Sequence, residues 1–587
     1  MKKKSTIILN LLLMAFLMPS ILFSGERVVR LVPDNIDGDY FGVLNKFIMG
    51  DTTQTGERAY PDAIYRLERG KFYDVNESLQ LNFNITIDAT PDDPSNPKRP
   101  PMILFGNDAQ GSKIGKLIDV YGDGNYFELK GVLVQAVQPY VDEPDYDNRG
   151  RWGIFLEGAF HRVVVDSCIF HGLEAAVFQP RNTDRCSWKF TNNIFYNGRA
   201  NQAVGGGGFY SNTVKTAYND TIIFRNNTFF NFDGNLFLSW EFVDYVEYTH
   251  NTMYNSTING LWTPLSTNAK FNDNLYVDFQ TVGETEWEYF NGHWDKGSPR
   301  HGHASILKLN LCDPQILADH RMEESDRKIE VNNNAYWWNQ DLRDYWENGT
   351  SQKDIDMGYS GEIHPVTWIN AMTDSMFKSI APYNYPHLVQ ENNIEADPGF
   401  DAQMVADVWE KEYAFILEYR KLGWTFLPDA PKDMLYCPDG KLFDLTWPLP
   451  WSLAYTNEDL LKHAEGGFPV GDLNWFPDKK AEWEDWVSSV EPQVNHTTPR
   501  NYELSQNYPN PFNPVTNISF TIPASGKTSL EVYNVLGQKV VTLVNNEKLS
   551  AGSYKYKFDA TNLTSGIYFY KLQSKNYSQT KKMMLIK

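Results

Sequence analysis

The sequence predicts an all-β protein: a parallel β-helix solenoid with a partly helical C-terminal cap, then a small C-terminal antiparallel β-sandwich. Two observations predict the solenoid. A strand-like phrase recurs along the chain, and an asparagine recurs at one position of that phrase. A tyrosine-rich tail of alternating strands and turn signals predicts the sandwich. The chain has 587 residues, enough for two or three domains.

The first segment predicts export. Lys2, Lys3 and Lys4 precede an apolar run over residues 7–18, and small residues follow at Ser24 and Gly25. This order is typical of a secretory signal peptide, which we place at residues 1–24. The apolar run is too short to span a bilayer comfortably, so we expect no transmembrane segment in the mature chain.

The net charge of −21 argues against a nucleic-acid partner, which needs a basic surface. The excess of carboxylates is explained most simply by solubility, with a divalent cation such as Ca²⁺ as the open alternative. The cofactor is otherwise unknown from the sequence. The spacing of the four cysteines is not that of a metal site. Their pairing stays open, although Cys168 falls on a core column and is expected to be a buried free thiol. The four are Cys168, Cys186, Cys312 and Cys437.

The recurring phrase has seven copies, at intervals of 36, 25, 34, 24, 23 and 60 residues. A period in the twenties with strand-like copies predicts stacked coils. The first and third positions are apolar in every copy and the second is mostly charged, so one face of the strand points inward. The first positions are Phe127, Val163, Trp188, Ile222, Val246, Ala269 and Ile329.

The sixth position of the phrase is asparagine in five copies: Asn193, Asn227, Asn251, Asn274 and Asn334. Stacked coils bring equivalent positions about 4.8 Å apart, so each buried amide can bond to the next. A further short strand follows in several coils, at residues 176–178, 208–210, 236–238 and 260–262. Residues 305–311 are strand-like and predict one more coil.

Three short strands per coil predict a parallel β-helix, which we place at residues 25–400 together with an entry segment. The pattern resembles the right-handed β-helix of the pectate-lyase-like superfamily over roughly residues 60–400. The resemblance implies a right-handed coil. It leaves the activity open, because that superfamily holds lyases, hydrolases, adhesins and inert stalks.

The regions after the solenoid differ from it in composition. Residues 401–487 are rich in Trp and Pro and have helical spacing at 405–421, which predicts a cap for the open end of the solenoid. A second helix is predicted at 366–379. Residues 488–500 form a polar linker, and residues 501–587 form the sandwich.

The tail contains two distinctive motifs. One reads Asn-Tyr-Pro-Asn-Pro-Phe-Asn-Pro over residues 507–514, and the other reads Val-Tyr-Asn-Val-Leu-Gly-Gln-Lys-Val over residues 532–540. These motifs closely resemble the type A C-terminal sorting domain of the type IX (Por) secretion system, over residues 502–587. The resemblance implies that the tail interacts with the type IX secretion machinery. It also implies a secreted protein, extracellular or on the outer-membrane surface of a Gram-negative bacterium. Whether the tail is later removed stays open.

Two catalytic patterns of the superfamily are missing from the sequence. Asn182-Thr-Asp184 is followed by Arg185 where the polygalacturonase pattern has glycine, and the pectate-lyase Arg-x-Pro-x-x-Arg motif is absent. Loops after the third strands of successive coils still carry charged and flat aromatic residues, which suit a sugar cleft. The candidate catalytic residues there are Arg181, Asp184, Arg185 and Glu241. The candidate carbohydrate-binding residues are Tyr210, Trp240 and Trp262.

Three other groups are interpreted as structural. A column of charges along the coils predicts a solvated charge ladder: Lys189, Glu247, Lys270 and Glu330. Four residues of one insertion do not define a metal site: His293, Asp295, His301 and His303. The pair Trp337-Trp338 is expected to contact the cap rather than to offer a stacking platform.

The leading hypothesis is a secreted β-helix protein that binds extracellular polysaccharide, with lyase or glycoside hydrolase chemistry at the candidate residues as an open question. The alternative is a non-catalytic surface adhesin or structural scaffold. An enzyme is expected to have a groove with convergent charge, and a scaffold is expected to have a filled flank.

Overall fold

The computed structural model describes residues 27–490 and 502–586 with internal gaps. The gaps in the first range are 94, 109, 113, 137–151, 174–175, 199–206, 211–217, 233–234, 239–241, 258, 263–264, 287–303, 310, 312–313, 320–322, 423–435 and 440–444. Those in the second are 505–506, 508–509, 523–525, 550–551, 562 and 575–576. The chain divides into two compact units, one of Glu26–Val487 and one that contains Ser488–Lys587. The predicted signal peptide lies outside the described residues.

The larger unit is a solenoid of three long parallel sheets, and successive strands of the chain go to the three sheets in turn. The first sheet has eleven strands: Val29–Leu31, Ile64–Leu67, Ile85–Ala89, Tyr126–Lys130, Arg162–Asp166, Ser187–Thr191, Tyr218–Arg225, Phe242–Thr249, Leu265–Asn272, Lys328–Asn332 and Leu388–Glu391. The second has ten: Phe72–Val75, Met102–Phe105, Leu133–Gln135, Ile169–His171, Ile194–Tyr196, Thr228–Phe232, Thr252–Ser256, Leu275–Phe279, Ala335–Trp337 and Ile394–Glu395.

The third sheet has nine strands: Leu79–Leu81, Lys116–Val120, Trp152–Ala159, Ala176–Asp184, Gly207–Tyr210, Asn235–Leu238, Asn259–Trp262, Ser305–Lys308 and Thr367–Ile369. A small antiparallel pair joins Glu284–Thr285 to Ile363–His364. The α-helices among the described residues of this unit are Val43–Met49, Pro314–Asp319, Gln340–Asn348, Gln352–Asp356, Ala371–Phe377, Ala402–Leu422 and Pro477–Val490. The short 3-10 helices among the same residues are Glu324–Asp326, Leu460–Lys462, Glu465–Gly467 and Leu473–Trp475.

The phrase copies pair in the register that the sequence predicts. Their first positions are paired in order along the eleven-stranded sheet, from Phe127 through to Ile329. The strand Ser305–Lys308 pairs with Asn259–Trp262 in the nine-stranded sheet, so it completes the coil that begins with Leu265–Asn272. The prediction of one more coil at residues 305–311 is therefore wrong, because the strand supplies the third side of a coil already counted. The predicted helix at 366–379 is wrong at its start, because Thr367–Ile369 is a strand and the helix is only Ala371–Phe377. β-branched and aromatic residues at 366–369 favour the strand.

Aromatic side chains stack from coil to coil inside the solenoid. Phe190, Phe224 and Tyr248 follow one another at ring-centroid distances of 5.1 and 5.2 Å. Such contacts stabilise the core beyond the burial of apolar area alone. The buried cysteines Cys168 and Cys186 are free thiols in the same core, as expected for Cys168.

The repeated asparagines form a continuous buried row between the coils. Asn193 donates from Nδ2 to Asn227 Oδ1 at 2.9 Å, and the same bond links each later pair through Asn334. Asn393, which the sequence does not reveal, extends the row by accepting from Asn334 at 2.9 Å. The left-handed backbone at this bend belongs to the residue before each asparagine, such as Asn192 with φ 60° and Asn226 with φ 54°.

The segment that follows the last coil packs along the ten-stranded sheet. The sequence predicts that residues 401–487 cover the open end of the solenoid. One apolar cluster instead joins this segment to strands that run from Met102 to Ala335. Polar bonds anchor the contact: Thr228 Oγ1 donates to the buried Asp472 carboxylate at 2.7 Å, and Thr281 Oγ1 donates to Glu412 at 2.6 Å.

The C-terminal unit has seven strands in two antiparallel sheets around one apolar core. The three-stranded sheet contains Glu503–Leu504, Val515–Ile522 and Gly552–Asp559. The four-stranded sheet contains Gly526–Asn534, Lys539–Leu549, Gly566–Ser574 and Tyr577–Leu585. Alternating residues of each strand face the core, which is why the tail alternates in polarity.

Candidate functional site

Two of the four predicted catalytic residues, Arg181 and Asp184, lie near the end of one strand of the nine-stranded sheet, and Arg185 directly follows that strand. Arg181 and Asp184 are exposed on the strand Ala176–Asp184, and Arg181 is paired in register with Glu157 of the preceding coil. Glu241 and Trp240 lie outside the described residues. Tyr210 and Trp262 share one register position across the sheet, with Leu238 between them. Phe178 pairs with Phe209, so the neighbour of Tyr210 on the strand Ala176–Asp184 is the residue directly after Phe178. Arg181 lies two residues further along that strand.

Arg185 already has partners in the solenoid. Its guanidinium bonds to the Asp220 carboxylate at 2.9 Å, and Asp244 lies 3.8 Å away. Burial raises the pKa of the Asp220 carboxyl, while the Arg185 bond acts in the opposite direction. Two carboxylates therefore hold the Arg185 guanidinium at the turn between two sheets, and its role as a catalytic residue stays a prediction.

The column of charges on the eleven-stranded sheet is not simply solvated. Lys270 and Glu330 lie 3.9 Å apart, both partly exposed. Glu247, however, is buried, and its carboxylate bonds to Arg225 at 2.6 Å and accepts from Thr249 Oγ1 at 2.8 Å. Although burial raises the pKa of Glu247, Arg225 and the hydroxyl donor outweigh that effect and lower it. The prediction of a solvated ladder is therefore wrong for Glu247.

A cavity of about 650 Å³ lies beside the last coils of the solenoid. It is formed by the strand Ala335–Trp337, the helix Gln340–Asn348, the segment 362–368 and the strand Ile394–Glu395. The size suits a ligand of a few sugar units, within the range of small-molecule pockets. Its lining residues are Tyr336, Trp338, Arg343, Trp346, Glu347, Gly349, Glu362, Ile363, His364, Pro365, Val366, Thr367, Trp368 and Glu395.

Four aromatic side chains in the wall are held in fixed positions. Tyr336 and Trp368 are stacked nearly parallel, with ring centroids 5.0 Å apart and an interplanar angle of 3°. Trp338 Nε1 donates to the Phe279 carbonyl at 3.0 Å, and Trp346 Nε1 donates to the Thr281 carbonyl at 3.0 Å. Tyr336 and Trp368 are partly exposed, so part of this aromatic surface is available to a ligand.

Charged side chains complete the wall. Arg343 forms an ion pair with Glu395, and its guanidinium lies 4.8 Å from the centroid of the Trp337 ring. Its Nε donates to the Trp338 carbonyl at 2.9 Å, which helps to fix the guanidinium over the rings of Trp337 and Trp338. Glu347 and Glu362 are exposed at the rim. The wall thus combines a flat apolar surface with both hydrogen-bond donors and hydrogen-bond acceptors.

Trp337 and Trp338 have different surroundings, although they are adjacent in the sequence and we predict one role for both. Trp338 is buried and packs edge-on against Trp346 of the inserted helix at 5.8 Å. Trp337 is partly exposed beneath Arg343 and packs against the apolar cluster that includes the segment 401–487. Trp337 therefore packs against the cluster that contains both solenoid strands and the segment 401–487, whereas Trp338 lies beside the cavity. The sequence did not predict this cavity. The sequence feature that could have indicated the cavity is the aromatic run Tyr336-Trp-Trp338, which lies just before an insertion that interrupts the period of the repeat.

The structure tests only part of the prediction about metal binding. The insertion residues His293, Asp295, His301 and His303 lie outside the described residues. In the described ranges, no three or more His, Cys, Asp and Glu side chains are grouped closely enough to hold a metal ion.

The comparisons identify the C-terminal unit. Residues 506–587 match the family of secretion system C-terminal sorting domains. This domain implies interaction with the type IX secretion machinery, and the chain is a secreted or cell-surface protein. Across the described part of the chain, helices that are both long and apolar enough to cross a membrane are absent.

The chain has low similarity to the two solved structures described here. No curated protein matches the sequence. An endo-beta-1,4-mannanase from Thermotoga petrophila has 9% identity and a TM-score of 0.11, covering 55% of this chain and 47% of the mannanase chain. A mannuronic acid specific polysaccharide family 6 lyase from human gut microbiota has 10% identity and a TM-score of 0.20, covering 66% of this chain and 95% of the lyase chain. At these TM-scores neither similarity bears on the activity of this chain.

Proposed function

We propose that this secreted or cell-surface chain is a right-handed parallel β-helix protein that binds extracellular polysaccharide in the cavity beside its last coils. The observation that carries the proposal is the aromatic wall of that cavity, with Tyr336 and Trp368 stacked and partly exposed. Aromatic rings offer the apolar faces of sugar rings a flat contact surface, and the surrounding polar groups can bond to hydroxyls. In this proposal the signal peptide and the sorting domain deliver the chain to the outer-membrane surface or beyond.

The charges favour a neutral polysaccharide over an acidic one. Three carboxylates line the cavity, at Glu347, Glu362 and Glu395, and the single arginine there is already paired with Glu395. The whole chain carries a net charge of −21, which repels polyanions at long range. An acidic glycan would need a bridging cation such as Ca²⁺ to overcome this repulsion.

Cleavage is a separate question that the same cavity raises. Glycoside hydrolysis generally uses two carboxyl groups, one as acid and one as base or nucleophile. Glu347 and Glu362 are the rim carboxylates that could serve in this way. Binding without cleavage would favour the adhesin hypothesis, and the experiment below distinguishes the two outcomes.

The test is a titration of the purified full chain with soluble neutral and acidic polysaccharides, with and without chelator. All 17 tryptophans lie between Trp152 and Trp486, so tryptophan fluorescence reports on the solenoid unit alone. We expect a neutral polysaccharide to bind, and Trp368→Ala to weaken binding about fivefold or more, taking the cost of about 1–3 kcal/mol for loss of a base–aromatic stacking contact as the guide. Size analysis of the glycan after incubation shows whether it is cut, and Glu347→Gln and Glu362→Gln test the two carboxylates.

The matched control is Tyr40→Ala, which removes an aromatic ring that is 62% exposed at the other end of the solenoid sequence. It should leave binding unchanged. Because Trp368 is partly buried, the melting temperature of Trp368→Ala is measured alongside. Failure of every polysaccharide to bind, or equal binding by Trp368→Ala and the parent chain, would contradict the proposal.

A further inference from the structure

Two adjacent apolar side chains in the sorting domain are unusually exposed. Val535 is 64% exposed and Leu536 is 78% exposed, the two highest values among the large apolar side chains of the described residues. They lie at the tip of the hairpin that joins the strands Gly526–Asn534 and Lys539–Leu549. A single exposed apolar side chain is common on a protein surface and does not by itself mark a binding site. The geometry of the hairpin tip is therefore needed to judge whether Val535 and Leu536 form one.

The hairpin tip is held in one conformation by Asn534. Its side-chain oxygen accepts from the backbone of Leu536 and of Gln538, each at 3.0 Å. Its amide nitrogen donates to Gln538 Oε1 at 2.9 Å, and its backbone carbonyl accepts from Gly537 at 3.0 Å. Gly537 has φ 75°, a conformation that glycine adopts without strain. The two apolar side chains are therefore presented by a preorganised turn, which lowers the entropy that a partner must overcome.

The charges behind the tip are already paired. Lys539 Nζ bonds to Glu531 Oε1 at 2.8 Å, and Tyr533 donates its hydroxyl proton to Glu531 Oε2 at 2.5 Å. A partner that covers the tip therefore meets two aliphatic side chains backed by a neutralised pair. Burial of two exposed aliphatic side chains in a small apolar pocket of a protein is favourable, because it removes their apolar surface from water.

We propose that Val535 and Leu536 are the apolar anchor by which the sorting domain docks into a pocket on a protein of the type IX secretion machinery. The match of residues 506–587 to the sorting-domain family supplies the partner, and the exposed tip supplies the contact. A membrane surface is a poorer fit, because lipid binding needs a larger apolar face or a basic cluster in addition. This proposal is independent of polysaccharide binding by the solenoid unit.

The test is export of the full chain from a Gram-negative host that carries a type IX secretion system. The variants are Leu536→Ser and the double variant Val535→Ser with Leu536→Ser. We expect the exported fraction to fall tenfold or more, with the chain retained inside the cell. Leu536→Met keeps an apolar side chain at the tip and should restore most of the export. Because both side chains are exposed, the melting temperatures of the purified variants should match that of the parent chain.

The matched control is Ile567→Ser, since Ile567 is 36% exposed on the four-stranded sheet of the same unit. Its export should equal that of the parent chain. Export of the double variant within twofold of the parent would overturn the proposal. It would also be overturned if purified full chain bound phospholipid vesicles in a Leu536-dependent way while the Leu536→Ser variant was still exported. The same holds if Leu536→Ser only abolished self-association measured by sedimentation.

Discussion

Replacing one asparagine in the middle of the buried row tests how the coils are held in register. Asn251 accepts two bonds through its Oδ1, from the backbone N–H of Asn227 at 3.1 Å and from Asn227 Nδ2 at 2.9 Å. Its own Nδ2 donates to the Phe224 carbonyl at 2.9 Å and to Asn274 Oδ1 at 3.0 Å. Asn251→Ala removes all four bonds at a site with no exposure to solvent.

The magnitude follows from the groups that lose their partners. The backbone N–H of Asn227 and one hydrogen of its amide would have no acceptor, whereas Asn274 Oδ1 keeps the bond from the Asn251 backbone. A buried donor without an acceptor costs about 1–3 kcal/mol, so two donors cost roughly 2–6 kcal/mol. We expect the free energy of unfolding of the solenoid unit to fall by that amount.

The assay is urea unfolding of the full chain followed by tryptophan fluorescence, which reports on the solenoid unit because the C-terminal unit has no tryptophan. The control is Asn268→Ala on a neighbouring strand, where the side chain is exposed and the expected change is within about 0.5 kcal/mol. If Asn251→Ala shifted the unfolding midpoint no more than Asn268→Ala, the row of amides would not stabilise the stack and the reasoning would be refuted.

Two further predictions concern buried carboxylates. Glu247→Gln should lower the free energy of unfolding by about 3 kcal/mol at neutral pH, because it leaves Arg225 without its buried partner. The pKa of Glu247 is lowered in the folded chain, so the contribution is present above the unfolded pKa and is lost as the pH falls through the folded value. The parent and variant melting temperatures should converge in acid, and a constant difference down to pH 3 (about one unit below the ordinary pKa) would contradict this. Burial raises the pKa of Asp472 to about 7, so the protonated carboxyl favours the folded chain, and this contribution is lost as the pH rises toward 7. Asp472→Asn should flatten the decline in melting temperature between about pH 4 and pH 7, the interval between the ordinary and the raised pKa, and an unchanged pH profile would show that Asp472 does not titrate in this range.

Much of the solenoid can be predicted from the sequence because stacking imposes the same demand on every coil. Phe190, Phe224 and Tyr248 occupy equivalent positions, and each must be apolar to fill the same interior. Stacking imposes the same requirement on a second row of buried asparagines, which is present in the sequence but was not predicted from it. Asn231 donates to Asn197 at 2.6 Å and Asn255 donates to Asn231 at 2.9 Å, four positions after the first asparagine row in each coil.

The first and last coils and the cavity are harder to predict, because insertions hide the period there. Asn393 follows Asn334 by 59 residues, and the intervening chain contains three helices. The cavity is built from segments of this interval and from Glu395 just after it, so Tyr336, Arg343 and Trp368 share no repeat that would associate them. The packing of residues 401–487 along the ten-stranded sheet could not be predicted either. The outer face of that sheet is apolar, and the sequence pattern does not distinguish an apolar outer face from the face that points into the solenoid core.

The most direct test of polysaccharide binding is a crystal structure of the full chain with an oligosaccharide of the type that binds best in solution. We expect sugar rings in the cavity, in contact with Trp368 or Tyr336 and within hydrogen-bonding distance of Glu347 or Glu362. Sugar bound instead on the nine-stranded sheet near Arg181, with the cavity unoccupied, would contradict this expectation.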